Sequence, residues 1–270
     1  SAFHFLSKTS YLWKKYKTMQ LFKKAALLLV ILITVSCNFT ENLDVNPNGT
    51  GTFSLEMDGS SFMAMAGDQV MGKMDETKQV KNIDTTFAFK QLLEAQKDSI
   101  AKLSPEKQAE LKKLENLVIH MKMNAEKKEF LMTINTPFKN VNELENLMGS
   151  LKSLNELKGK QEKSAMPIPA DDIFGDSNTK LSFSYNGKTF TRKAIVPKKE
   201  MNKVAMDSLG MAKMLFASSK YTLKYRFPKP VKKVSNPDAM FSADRKTITI
   251  QYSFADYTEN PEKLNLNVAF

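Results

Sequence analysis

The chain has 270 residues, 42% hydrophobic and 26% charged, with 10 Gly and 10 Pro; that composition belongs to a folded globular protein and excludes fibrous and wholly disordered chains. The formal charge of +11 overstates its basicity: residues 1–36 hold six lysines and no acid, and taking those six from 40 basic residues leaves 34 against 29 acidic, a net of +5. The remaining basic residues form no Arg-rich or aromatic-interleaved block, which argues against nucleic acid as a partner, and a single cysteine excludes a disulfide within the chain.

From Met19 the sequence reads MQLFKKAALLLVILITVSC. Lys23 and Lys24 precede an uninterrupted apolar-to-neutral run, Ala25 to Val35, and Ser36 places a small side chain directly before Cys37. This is the layout of a secretory signal peptide over 19–36. The run is shorter than the ~20 apolar residues a spanning helix needs. Ile33-Thr34-Val35-Ser36-Cys37 resembles the lipobox of bacterial lipoproteins, although Thr34 and Ser36 depart from its strictest form. The resemblance implies that Cys37 is the lipidation site, that cleavage makes it the new N-terminus, and that acyl chains such as palmitate then hold the protein to a membrane. Residues 1–18 precede the start-like Met19 and are read as an upstream extension added by a mis-called start.

Residues 37–50 (CNFTENLDVNPNGT) are polar and show no apolar periodicity, and are read as a tether. A folded α+β domain is expected over 51–270. Thr52 to Met57 alternate as a half-buried strand does. Phe62 to Met74 are Met-rich and helical in character, and Thr85 to Phe89 read as a short strand. Ser104-Pro105-Glu106 is a helix start, with Ser as N-cap and Pro at the first helical position. Val118–Met123 and Glu129–Asn135 form a hairpin around residues 124–128. Asn140 and Glu143 have capping-box spacing and open a helix with Val141, Leu144, Leu147, Met148, Leu151 and Leu154 on one face.

Residues 158–179 are rich in Lys, Pro, Asp and Ser and are read as a loop or hinge, leaving one domain or two similar halves as alternatives. Leu181–Tyr185 and Lys188–Ile195 flank Asn186-Gly187, read as a two-residue turn with both residues at positive φ. Lys199 to Ala217 look helical. Tyr221–Phe227, Thr247–Phe254 and Leu264–Phe270 make a β-rich ending. The expected architecture is α+β: antiparallel sheets built from hairpins, packed with several amphipathic helices. Stretches such as DTTFAFKQLL (84–93), KDSIAKLSPEKQAELKKL (97–114) and YTLKYRFPKPVKKVSNPDAMFSADRKTITIQYSF (221–254), with the lipobox, resemble lipoproteins common in Bacteroidetes genomes. That resemblance carries no functional residue beyond Cys37.

Catalysis needs a nucleophile, a base and an orienting group. His4 lies in the segment expected to be removed, and His120 falls on the outward face of an alternating strand with Val118 and Lys122. Asp171-Asp172 read as a solvated loop. Asp44 to Gly49 match the opening of a calcium-binding EF-hand loop, but the twelfth position, where a bidentate Glu is required, is Leu55, with Glu56 one residue late. Met57, Met63, Met65, Met71 and Met74, with Met121 and Met123, could supply thioethers for Cu(I); flexible core filling is the better reading. Neither phosphate-loop glycine pattern occurs. The expectation is therefore not an enzyme, with no catalytic residue, metal or cofactor. It is an envelope lipoprotein, expected at the outer membrane, that binds another envelope component. The alternative is a carrier or sensor of a small apolar ligand or metal.

Overall fold

The first described residue is already part of a strand. The structure, a computed structural model, describes residues 38–61, 63–64, 82–145, 147, 180–196 and 219–270. Strand β1 (Asn38–Val45) turns into β2 (Gly51–Asp58), with Val45 opposite Gly51 and Asn38 opposite Asp58. Phe39, Glu41, Leu43 and Val45 point inward and are buried. The tether expected over 37–50 is thus corrected: 38–45 is an inner strand. Its in-phase apolar residues are interrupted by one inward acid, Glu41, and diluted by polar outward residues, so the alternation is hidden.

Three further strands extend the sheet: β3 (Asn82–Ala88) pairs with β4 (Val118–Asn124), β4 with β5 (Glu129–Phe138), and β5 with β2. The turn between β4 and β5 is closed by Asn124, whose Oδ1 accepts from the Lys127 N–H at 2.8 Å. After it, β6 (Lys180–Tyr185) and β7 (Thr189–Ile195) form a hairpin of a second sheet. Strand β8 (Lys220–Arg226) then returns to the first sheet, parallel to β1, and β9 (Lys233–Val234), β10 (Met240–Phe241), β11 (Thr247–Ser253) and β12 (Leu266–Ala269) complete the set. The eight-stranded sheet runs β10-β11-β8-β1-β2-β5-β4-β3, and the four-stranded one β6-β7-β12-β9.

All pairings but β1–β8 are antiparallel. Strands from both sides of 158–179 share the larger sheet. The described residues therefore form one unit.

The inner face of the larger sheet carries Phe39, Leu43, Phe53, Leu55, Ile134, Leu223 and Ile250, and Phe183, Phe190, Leu266 and Val268 of the smaller sheet join the same core. Aromatic edges seal the join: Phe190 meets Tyr225 at 5.5 Å and Phe227 at 5.1 Å between centroids, and Phe53 meets Phe183 at 6.4 Å.

Helices are few and short among the described residues: α1 (Phe89–Ala95), α2 (Lys97–Ile100), α3 (Pro105–Lys112) and α4 (Phe254–Glu259). Ser104 caps α3 as expected, its Oγ accepting from Lys107 N–H at 3.4 Å. Yet α3 buries only Leu111 and stops at Lys112. Leu111, Leu114 and Leu117 recur every third residue, which suits tight i→i+3 turns, and the bonds Leu114 to Leu111 and Leu117 to Leu114 are of that kind. Several amphipathic helices are not shown among the described residues, where the second sheet packs on the first.

The hairpin at 186–187 is present with a different turn. Only Gly187 has positive φ, +79°. Asn186 Oδ1 instead accepts from the Lys188 and Thr189 N–H groups at 3.0 and 2.8 Å. Asn140 caps a 3-10 turn, Val141–Leu144, by accepting from the Asn142 N–H at 2.9 Å. Of the helix expected over 62–74, residues 63 and 64 are described and are helical; the rest of it, the helix expected over 199–217, the rest of that after 147, and the loop at 158–179 lie outside the described residues.

Candidate functional site

Two features stand out, one inside the core and one on its rim. Inside, the inward alternation of β1 puts Glu41 in the core, and the inward alternation Phe190-Arg192-Ala194 on β7 puts a guanidinium opposite it. Arg192 Nε donates to Glu41 Oε1 at 3.1 Å and Nη2 donates to Oε2 at 3.0 Å, a bidentate pair with both side chains 1% exposed. Arg192 Nη1 donates to the Leu264 carbonyl at 3.2 Å. From β8, Tyr221 donates to Oε2 at 2.6 Å and Tyr225 donates to Oε1. Tyr257 of α4 stacks on Tyr221 with 4.1 Å between centroids.

Burial alone would push the Glu41 carboxyl up. The Arg192 charge and the hydrogen bonds from Arg192, Tyr221 and Tyr225 together outweigh it and hold Glu41 below the usual carboxylate range. Burial and then the Glu41 charge raise Tyr221 and Tyr225 well above the ordinary phenol value, and the same causes push Tyr257 up to about 12. Both carboxylate oxygens accept two bonds each, so Glu41 has no spare lone pair aimed at a substrate. The cluster joins β1 and β8 to β7 and to the turn before β12. Its chemistry is that of a closed internal clamp.

On the rim, an open cleft of about 870 Å³ lies where β1 turns into β2 and β5 ends. Pro137, Phe138 and Ala109 give it apolar wall, and Lys112, Lys113 and Lys139 with Glu143 and Glu145 ring it with charge of both signs. Asn38 marks the opposite rim of the sheet from the turn at Asn46–Thr50, so the cleft sits at the far end of the sheet from Asn38.

The other sequence candidates fall as follows. His120 is outward on β4 with a side chain 46% exposed, as expected, and its Nε2 lies 2.9 Å from Asp84 Oδ1 of β3. Asp44 to Gly49 end one strand and form a hairpin turn: Gly49 has φ +83° and Asp44 pairs with Arg226 at 3.3 Å. No helix flanks it. Met57, Met63, Met121 and Met123 are buried in the core. Cys37, His4, Met65, Met71, Met74 and Asp171-Asp172 lie outside the described residues.

Sequence reasoning missed Glu41, Arg192, Tyr221 and Tyr225. The signal available was an acid and an arginine, each in phase with inward apolar neighbours.

No protein-family model matches the chain, and no curated protein matches it. Among solved structures, the folded domain of the LppM protein of Mycobacterium tuberculosis, determined by NMR, is similar at 6% identity and a TM-score of 0.35, over 86% of this chain and 87% of that one. So slight a likeness carries neither fold nor function across.

Proposed function

We propose that this chain is a non-enzymatic bacterial envelope protein, held to a membrane by lipid on Cys37, that binds another envelope component. The observation that supports the reading is the ordered run of Lys23-Lys24, the apolar Ala25–Val35 and Ser36-Cys37, which places a lone cysteine where a lipoprotein would be cleaved and acylated. The outer membrane is the proposed membrane. The partner is proposed to engage the cleft beside Lys112, Lys113 and Lys139, which lies at the end of the larger sheet away from Asn38. A single acyl chain binds membranes only marginally, so stable anchoring takes more than one.

The anchor is tested by growing cells with radioactive palmitate. Label on the wild type and none on Cys37→Ser is the expected result; equal label on both would remove Cys37 as the site. The partner is sought by crosslinking pull-down from detergent-solubilised membranes. Replacing the three cleft lysines by Glu should abolish a specific band, and an unaltered band would move the partner elsewhere.

A further inference from the structure

The register of the larger sheet gathers one set of residues at the end where β1 begins, at Asn38. Asn38 lies opposite Asp58 on one side and Lys220 on the other; Lys220 lies opposite Ser253, Asp58 opposite Leu131, and Asn124 opposite both Glu129 and Asn82. These residues, with the turn carrying Glu126, Lys127 and Lys128, form a single rim. We propose that this Asn38 rim is a membrane-contact surface that rests on the headgroups of the bilayer holding the Cys37 lipid; the proposal rests on the reading that Cys37 is acylated.

The reason is the absence of slack. One residue spans at most ~3.6 Å of chain, and Asn38 directly follows Cys37. Asn38 is paired on both sides inside an eight-stranded sheet. Lengthening the leash would mean peeling β1 from β2 and β8 together, with Phe39 leaving the core at 2% exposure. An acylated Cys37 therefore fixes this end of the sheet at the membrane surface.

The rim is chemically suited to that position. Its exposed Lys127, Lys128 and Lys220 face exposed Asp58 and Glu126, and Glu129 is engaged by Lys122 at 3.1 Å. With charges near balance, covalent attachment decides the contact and electrostatics does not oppose it. Strand β7 passes from Phe190, beside Phe227 at the far rim, to Arg192 at Glu41, and so carries Ile195 and Val196 toward the Asn38 rim. Those two apolar side chains are 46% and 43% exposed, and they gain by leaving water at the headgroup boundary.

The test uses Cys37 as the chain's single cysteine. The chain from Cys37 to Phe270 is conjugated there to a maleimide phospholipid and bound to phosphatidylcholine–phosphatidylglycerol vesicles. Lysine acetylation is then read by mass spectrometry. Lys127, Lys128 and Lys220 should be modified several-fold more slowly on vesicles than in the unconjugated protein, while Lys139, Lys188 and Lys232, at or near the far end, keep their rates. Equal rates at both ends, or protection of the far end, overturn the proposal. Protection of the Asn38 rim that appears equally without vesicles overturns it too, in favour of a second copy of the chain. Because the lipid is attached chemically, this outcome is independent of the palmitate experiment. Loss of fatty-acid label in cells would count against the anchor alone.

Discussion

Arg192 grips Glu41 through two parallel hydrogen bonds across 151 residues of sequence, and so fastens the small sheet to the centre of the large one. Removing one partner leaves the other charged, buried and uncompensated. Glu41→Ala or Arg192→Ala should each cost about 3–5 kcal/mol. Urea denaturation measures it. The combined change Glu41→Leu, Arg192→Leu, Tyr221→Phe, Tyr225→Phe should recover most of the loss, because both charges and both phenol hydroxyls go together and only the Leu264 carbonyl loses a donor. A quadruple variant as unstable as the single ones would show that the pair is needed for packing shape and not only for charge balance.

Acid and alkali should attack the same cluster from opposite sides. Glu41 titrates below its ordinary value of 4.5 in the fold, so the stability it contributes is present above pH 4.5 and is lost as pH falls through the depressed folded value. Tyr221 and Tyr225 titrate well above 10.0, and Tyr257 at about 12. Their contribution is present below pH 10.0 and is lost as pH rises toward the folded values. Urea midpoints across pH should fall at both ends, and Tyr257→Phe should flatten the alkaline limb. An alkaline limb unchanged in that variant would remove Tyr257 as a cause.

Both chain ends of the described fold are structural. Strand β1 buries Phe39, Leu43 and Val45, and the ending buries Leu264, Leu266 and Val268. Each large apolar side chain is worth roughly 1.5–3 kcal/mol against about 5–15 kcal/mol for a whole domain. A fragment of residues 38–270 should give a cooperative circular dichroism melt. Fragments 51–270 and 38–263 should not. A cooperative melt from 51–270 would mean that β1 is dispensable.

Gly51 is where β2 begins, between Val45 and Phe138. A Cβ there would lie 2.0 Å from the Asp44 carbonyl oxygen and 2.4 Å from Phe138 Cζ. The ring could swing aside; the carbonyl belongs to a paired strand and cannot. Gly51→Ala should destabilise by about 1–3 kcal/mol or more, read as a lower melting temperature, while Gly187→Ala meets open space and pays only for its positive φ. Equal losses at the two positions would show that backbone conformation, not crowding, sets the cost at Gly51.

What could be read beforehand were elements whose signal is local. The hairpins at 124–128 and 186–187, the Ser104 cap and the apolar phase of Leu264, Leu266 and Val268 each depend on residues a few positions apart. Strand β1 was hidden because Glu41 occupies an apolar position, and the reason it can do so, Arg192, lies on another strand of another sheet. The clamp was unreadable on the same ground: an inward acid looks like a fault until its distant partner is placed. The rim cleft depends on how α3 lies beside the β2 and β5 ends, which no local pattern encodes. The turn at Asn186-Gly187 shows a smaller limit. The residues were right for a turn, but Asn186 acts through its side chain and not through positive φ.

The parallel pairing of β1 with β8 imposes an order on how the molecule is made. β1 is the first described strand to leave the ribosome, and its second neighbour is separated from it by the whole of β2 to β7. Long-range pairing of this kind slows folding because loop-closure entropy is lost before contacts form. Until β8 arrives, β1 is an open edge with its backbone donors and acceptors unmet on one side, the condition in which strands recruit foreign chains. A truncated chain ending before Lys220 should therefore aggregate through β1. Whatever escorts this protein during synthesis has that one strand to shield, for as long as the rest of the chain takes to appear.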